Sequence, residues 1–203
     1  AVLMALYSSG CEELNGTALS VYGTRTGRRI QRAKLVSGGL SALLAYGLLA
    51  ALSVGLFSLL WDLGPIWGAS ISSQFHYVVS MGIRLPFLTW VPFTVAGYLA
   101  ATLALGAAVV LLFYGLGFAA GLTVGDAYRG FLLFFVCAAL NFGAMMLAGD
   151  GGRWMLYQLV QWSPIALWWF QPLWFTDQNI SALLPWQECR EAALCAGLCA
   201  ALL

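Results

Sequence analysis

Long apolar runs separated by short polar segments set the pattern of the chain. The first extends from Leu35 to Trp61, 27 residues without a charge, or about 40 Å of helix at 1.5 Å per residue. Residues 85–125 then carry no charge over 41 positions, and the run 130–149 is close to the roughly 20 residues that a bilayer crossing needs. We predict three complete spans at 35–61, 91–118 and 130–149, with Pro92 in the first turn of the second.

The apolar runs at the two ends are too short to cross a bilayer. Residues 1–8 are expected to be the end of one span, and residues 189–203 the start of a last one. The first residues lack an initiator Met, a basic region and a cleavage site, so they do not resemble a signal peptide. We therefore expect a chain that is truncated at both ends.

The segment 150–188 mixes apolar runs with Pro164, Pro172 and Pro185, and it holds six of the nine tryptophans. Tryptophan gathers at the headgroup level, where an apolar ring and a polar N–H are both accommodated. We predict an outer re-entrant or interfacial segment of one or two short helices. A fourth complete span at 154–176 is the alternative.

Composition agrees with a membrane protein, because 62% of the residues are hydrophobic and only 8% are charged. Soluble domains have roughly 25% charged residues. The predicted fold class is accordingly all-α, a polytopic transmembrane helical bundle within one membrane domain, 1–203. Five cysteines without a CxxC pair indicate neither a disulfide framework nor a zinc site.

The basic residues are concentrated before the first complete span. This segment holds five of the nine, namely Arg25, Arg28, Arg29, Arg32 and Lys34. Burying all five at the bilayer centre would cost roughly 12 kcal/mol or more. We predict that loop 9–34 is cytoplasmic and attracts anionic membrane lipid. By alternation, 63–90 and 150–188 lie outside and 119–129 inside, and the expected location is a bacterial plasma membrane.

The loop 9–34 shows helical patterns of its own. Ser9 and Glu12 have the spacing of a capping box, which predicts a short helix that begins at Ser9. The residues Leu14, Ala18, Val21 and Tyr22 would then form one apolar stripe on a surface helix.

The passage "EELNGTALSVYGTRTGRRIQRAKL" resembles the loop between the second and third spans of type-two ABC-transporter permeases, the exporter family. An acidic residue, a Gly-Thr pair, an Arg and a Lys recur there before a long span, and the order of spans over the whole chain is also similar. The matching residues are Glu12, Gly16, Thr17, Arg28 and Lys34.

That resemblance implies a function for the loop. In the family it holds a coupling helix, which rests on an ATP-binding subunit and transmits its movement to the spans. It also implies a homo- or heterodimer of permeases. A Walker A loop is absent from this sequence, so an ATPase would be a separate chain or lie in a missing part of this one. The resemblance implies a separate ABC ATP-binding subunit.

No catalytic set emerges from the sequence, and an enzyme, a cofactor, a metal or a nucleic-acid partner is not expected. The chain has a single histidine, His76, in a predicted outer segment. A membrane enzyme would need a pair of embedded titratable groups, and no charged residue lies in the middle of a span.

Polar residues within the predicted spans are the remaining candidates, as either pathway or helix-contact residues. They are Tyr46, Ser53, Tyr98, Thr102, Tyr114 and Asn141. The absence of charge in the spans is consistent with an amphiphilic or lipid-like cargo. The alternative function is a membrane scaffold or sensor-associated protein that moves no cargo.

Overall fold

The computed structural model describes residues 1–17, 19–20, 23, 27–80, 83–150, 154–176 and 186–203. Its helices, in chain order, are α1 (Val2–Leu14), α2 (Gly27–Leu60), α3 (Val95–Val124), α4 (Ala127–Asp150), α5 (Trp154–Gln161), α6 (Pro164–Trp169) and α7 (Gln187–Leu202). Short 3-10 helices occupy Gly64–Ile66 and Gln171–Leu173.

Three of these helices are long and apolar enough to cross a membrane. The qualifying stretches are Arg29–Leu60, Val95–Val124 and Ala127–Ala148. The predicted all-α membrane bundle is therefore confirmed. Many side chains of α2 are exposed apolar groups, as with Leu44, 74% exposed, and Leu59, 84% exposed, which is the surface that a lipid-facing helix presents.

The ends of the second spanning helix differ from the prediction. Thr94, and not Pro92, precedes α3 as its N-cap, with its Oγ1 accepting the Gly97 N–H at 3.1 Å. At the other end Gly125 closes the helix by donating its N–H to the Gly121 carbonyl at 2.8 Å. Asp126 then accepts the Tyr128 N–H at 2.9 Å. Within the predicted inner loop 119–129, only Gly125 and Asp126 lie between the two helices.

The predicted capping box at Ser9 is wrong. Helix α1 runs continuously through this position, and the Ser9 hydroxyl donates to the Leu6 carbonyl at 3.1 Å. A serine inside a helix can bond back to the preceding turn in this way. The predicted stripe with Leu14 depended on Ala18, Val21 and Tyr22, which lie outside the described residues.

Helix α3 is the centre of the bundle, with α1, α2, α4 and α7 packed around it. One buried cluster joins Ala5 of α1 and Ala42 of α2 to Tyr114 and Phe118 of α3. A second cluster joins Leu105 and Val109 of α3 to Leu167, Trp174 and Phe175.

An antiparallel hairpin in the segment 63–90 was not anticipated from the sequence. Strand β1 (Ser73–Ser80) pairs with β2 (Ile83–Phe87), with Ser80 opposite Ile83. The residues after the hairpin contact the chain near Phe175, where the Trp90 N–H donates to the Phe175 carbonyl at 3.0 Å.

The segment 154–176 is folded as two short helices and a 3-10 turn. Ser163 caps α6 by accepting the Ala166 N–H at 3.3 Å, and Pro164 occupies the first turn. This start signal interrupts the chain, so 154–176 does not form one continuous helix.

Candidate functional site

A junction of three helices surrounds Lys34, which lies two turns into α2. Its ammonium pairs with the Glu12 carboxylate and also contacts the Ser8 carbonyl at 3.2 Å and the Cys11 Sγ at 3.0 Å. Ser8, Cys11 and Glu12 lie at i, i+3 and i+4, hence on one face of α1. A single lysine therefore joins the basic end of α2 to the last two turns of α1.

The ion pair at this junction is largely removed from water. The Glu12 side chain is 7% exposed and that of Lys34 is 21% exposed. Burial alone would raise the pKa of the Glu12 carboxyl, but the hydrogen bond and charge of Lys34 outweigh that effect and hold the pKa below its ordinary value. The carboxylate is thus stabilised as an anion because the lysine is present.

Tyr114 of α3 completes the junction from the other side. It is 2% exposed, and its hydroxyl donates to the Lys34 carbonyl at 3.2 Å. A Cβ placed on Gly38 would lie 1.8 Å from that hydroxyl oxygen. Gly38 therefore allows α2 to approach the buried tyrosine, and both residues fix the position of α2 on α3.

The other residues of the predicted coupling set have different places. Thr17 donates its N–H to the Glu12 carbonyl at 2.8 Å, a bond that closes the C-terminus of α1. Gly16, just before Thr17, has a φ of 67°, which allows the turn at the end of this helix. Arg28 lies in the first turn of α2, and the placement of its side chain is outside the described residues. Glu12, Thr17 and Lys34 are thus brought together, in contacts that stabilise the fold.

An apolar cavity of about 450 Å³ lies between α2 and α3, near the other end of α2. Its walls include Ser53 and Phe57 of α2, Trp67 beyond the 3-10 helix, and Tyr98 and Thr102 of α3. The volume is within the range of about 300–1,000 Å³ for small-molecule sites. Three of the six polar candidates from the sequence therefore line one cavity.

The three hydroxyls in the cavity wall already have protein partners. Ser53 donates to the Leu49 carbonyl at 2.8 Å, and Thr102 to the Tyr98 carbonyl at 2.8 Å. Tyr98 in turn donates across the bundle to the Trp174 carbonyl at 3.2 Å. The space that remains is suited to apolar groups.

The remaining polar candidates make helix contacts away from this cavity. Tyr46 of α2 donates to the Leu103 carbonyl of α3 at 3.1 Å. Asn141 of α4 accepts the Ser163 hydroxyl at 2.8 Å, which ties α4 to the start of α6. Tyr114 belongs to the Lys34 junction.

A buried polar group at the N-terminus of α7 was missed by the sequence reasoning. Gln187, Glu188 and Glu191 are 4%, 3% and 5% exposed, and Gln161 of α5 is 2% exposed. Positions 187, 188 and 191 share one face of a helix, and this spacing before an apolar run is the signal that was available. The tryptophans and prolines of 150–188 favour an interfacial segment, in which polar residues are expected to be exposed and not buried.

Among the described residues, no group of three or more His, Cys, Asp or Glu side chains is placed to hold a metal ion.

In comparisons with known proteins, no family model, no curated protein and no solved structure matches this chain.

Proposed function

We propose that this chain is the membrane-spanning subunit of an ATP-driven exporter, coupled to a separate ATP-binding subunit and working as a dimer of permeases. One observation carries the proposal. Helix α2 is a single element of 34 residues, about 50 Å long at 1.5 Å per residue. One end carries the basic segment, and Ser53 and Phe57, farther along, line the apolar cavity.

The geometry of α2 supports a role as a lever. Arg29 and Arg32 are exposed at its basic end, where an acidic partner surface would reach them. The Lys34 junction holds the helix against α1 and α3 just beyond these arginines. In this proposal, a force on the basic end is transmitted along the continuous helix to the cavity wall.

The cavity supports a cargo that is apolar or amphiphilic. Its hydroxyls are engaged with backbone carbonyls, so a transported ion would find few free ligands in the wall. An acyl chain or an aromatic ring would gain from leaving water, at about 25 cal/mol for each Å² of buried apolar surface.

Charge reversal at the basic end tests the coupling. We expect Arg29→Glu/Arg32→Glu to lose at least about tenfold of the ATPase activity that copurifies with the wild-type protein from its native membranes, because two attractive contacts become repulsive. Phosphate release is the measurement, and the thermal midpoint should stay unchanged because both side chains are exposed.

Arg129→Glu is the matched control for this reversal. The Arg129 side chain is 76% exposed and pairs with Asp126 at 3.6 Å, in a surface pair that contributes little. It should copurify with full ATPase activity. Full activity in the Arg29→Glu/Arg32→Glu protein as well would contradict the coupling role of this segment.

Filling the cavity tests the transport path. We expect Ser53→Trp to reduce the export of a fluorescent lipid analogue from proteoliposomes about tenfold or more, because an indole occupies much of the space beside Tyr98 and Thr102. Ser58→Trp is the control, since Ser58 is exposed on the same helix and is not a wall residue of the cavity.

The same export assay also separates transport from the alternative of a non-transporting scaffold. Equal export by the Ser53→Trp and Ser58→Trp proteins would show that the cargo does not pass through the cavity. Absence of ATP-dependent export in the wild-type protein together with its ATPase would favour the scaffold.

A further inference from the structure

The buried polar group at the start of α7 surrounds a cavity of about 10 Å³. This is room for a single water molecule. Gln161, Gln187, Glu188 and Glu191 line it together with the apolar side chains of Leu167, Phe170 and Trp174. The site is distinct from the Lys34 junction and from the apolar cavity, and no part of the proposed transport mechanism uses it.

Hydrogen-bond acceptors outnumber donors in this cavity. Oε2 of Glu188, Oε1 of Glu191 and both amide atoms of Gln161 are buried without a hydrogen-bond partner among the described residues. The second oxygen of Glu188 accepts the Phe175 N–H at 3.0 Å. Three acceptor oxygens thus lack a partner, against the two N–H groups of one amide, and a protonated carboxyl group would supply a further donor.

Within the described residues, neither carboxyl group forms an ion pair with a Lys or Arg side chain. The salt bridges within the described part of the chain are Lys34 with Glu12 and Arg129 with Asp126. The other titratable or charged groups near the site on α7 are Cys189, Cys195 and the exposed Arg190. On α3 the nearest such group is Tyr98, whose hydroxyl donates to the Trp174 carbonyl. Helix α6 and the 3-10 turn carry no titratable side chain, and the side chain of Tyr157 on α5 is outside the described residues.

We propose that this cavity is a proton-binding site, in which Glu188 and Glu191 together hold a proton next to one water-sized space and the amide of Gln161 faces that space. Two adjacent buried carboxyl groups without a cation cannot both be ionised at low cost, so one retains its proton at neutral pH. The Gln161 amide offers both a donor and an acceptor, and it can bond to a cavity water in either protonation state.

The sign of the pH dependence follows from Glu188. Burial raises the pKa of its carboxyl, against the opposing effect of backbone hydrogen bonds that include the Phe175 N–H. A carboxyl whose pKa is raised by folding stabilises the protein fully below its ordinary value of 4.5, and that contribution is lost as the pH rises through the folded value.

Infrared difference spectroscopy of the full chain in detergent tests the site through the protonated carboxyl group itself. A spectrum at pH 6 minus one at pH 9 should contain the C=O stretch of a protonated carboxylic acid. That band should be lost in Glu191→Gln, which copies the shape of the neutral acid, and retained in Asp62→Asn, a change at an exposed carboxyl group. Absence of the band in the wild-type protein would overturn the proposal.

Thermal unfolding provides the second readout. The midpoint of the wild-type protein should fall by about 5 °C or more between pH 6 and pH 9, with a smaller fall in Glu191→Gln. An equal fall in both proteins would overturn the proposal, as would a wild-type midpoint that depends on Na⁺ or Ca²⁺ at fixed pH and ionic strength, since a bound cation would then replace the proton. Neither outcome bears on the proposed transport function.

Discussion

Replacing Lys34 with methionine is expected to destabilise the protein by roughly 2–4 kcal/mol, because it leaves a buried carboxylate without its counter-charge. Glu12 is 7% exposed, and the other contacts of the lysine, to the Ser8 carbonyl and the Cys11 Sγ, disappear with it. Tryptophan fluorescence during thermal unfolding in detergent micelles measures the loss. Since the junction also holds the basic end of α2, copurifying ATPase activity should fall too.

The pH dependence of this loss identifies its cause. In the wild-type protein the pKa of Glu12 lies below its ordinary value of 4.5. The ion pair therefore contributes to the free energy of unfolding above pH 4.5, and this contribution is lost as the pH falls through the pKa of the folded protein. Without the lysine, burial is left to raise the pKa of the carboxyl. The destabilisation by Lys34→Met should therefore grow between about pH 4 and pH 7.

Two further variants complete this test. Arg32→Met is the matched control, because Arg32 is exposed on the same helix two residues earlier, and its midpoint should equal that of the wild-type protein. Lys34→Met/Glu12→Gln removes both charges and should recover part of the loss. Equal midpoints for Lys34→Met and Arg32→Met would refute the structural role of the ion pair.

Replacing Gly38 with valine is expected to cost about 1–3 kcal/mol, the usual range for overpacking a close contact. The added Cβ would lie 1.8 Å from the Tyr114 hydroxyl oxygen and 2.7 Å from its Cζ. The tyrosine is 2% exposed and is bonded to the Lys34 carbonyl, so it cannot swing aside. Helix α2 must then move away from α3, which should also weaken coupling through the Lys34 junction.

Gly47→Val is the control for this change, since a Cβ at Gly47 has no atom within 4 Å apart from its chain neighbours and the adjacent backbone of its own helix. It lies on the same helix and should be close to neutral. Gly38→Val/Tyr114→Phe should recover part of the loss, because it removes the oxygen that makes the closest approach. A Gly38→Val protein as stable and as active as Gly47→Val would show that α2 and α3 are not packed this closely.

The transmembrane architecture was predictable from the sequence because it depends on a coarse property. Charge-free runs of about 20 residues or more have few alternatives to a spanning helix. The helix ends were less predictable. Pro92 and Thr94 are both acceptable start signals within three residues of each other, and the fold uses the threonine, whose hydroxyl accepts the Gly97 N–H.

The hairpin and the capping box show why local patterns were insufficient elsewhere. The stretch Ser73–Ser80 forms a strand because Ile83–Phe87 pairs with it, and pairing is a non-local property. Ser9 and Glu12 have the spacing of a cap, but the preceding apolar residues continue the helix through them, with Ala5 and Leu6 buried against the bundle.

The candidate sites were predictable only as residue types. The family resemblance indicates Glu12 and Lys34 as coupling residues, but the sequence gives no sign that their side chains pair with each other. Ser53, Tyr98 and Thr102 were separate candidates in the sequence, and tertiary packing brings them to one cavity. Gln161 and Glu191 are 30 positions apart, so their shared cavity is visible only in the fold.

Cross-linking across the apolar cavity tests most directly the claim that α2 transmits movement from its basic end to the cavity wall. Cysteines at Ser53 and Thr102, in a chain whose five native cysteines are replaced, would be joined by a bismaleimide in membranes that contain the copurifying ATPase. We predict a cross-linking yield that changes several-fold when ATP is added and no longer changes in the Arg29→Glu/Arg32→Glu protein. A yield that is the same with and without ATP, in a preparation that hydrolyses ATP, would contradict the account.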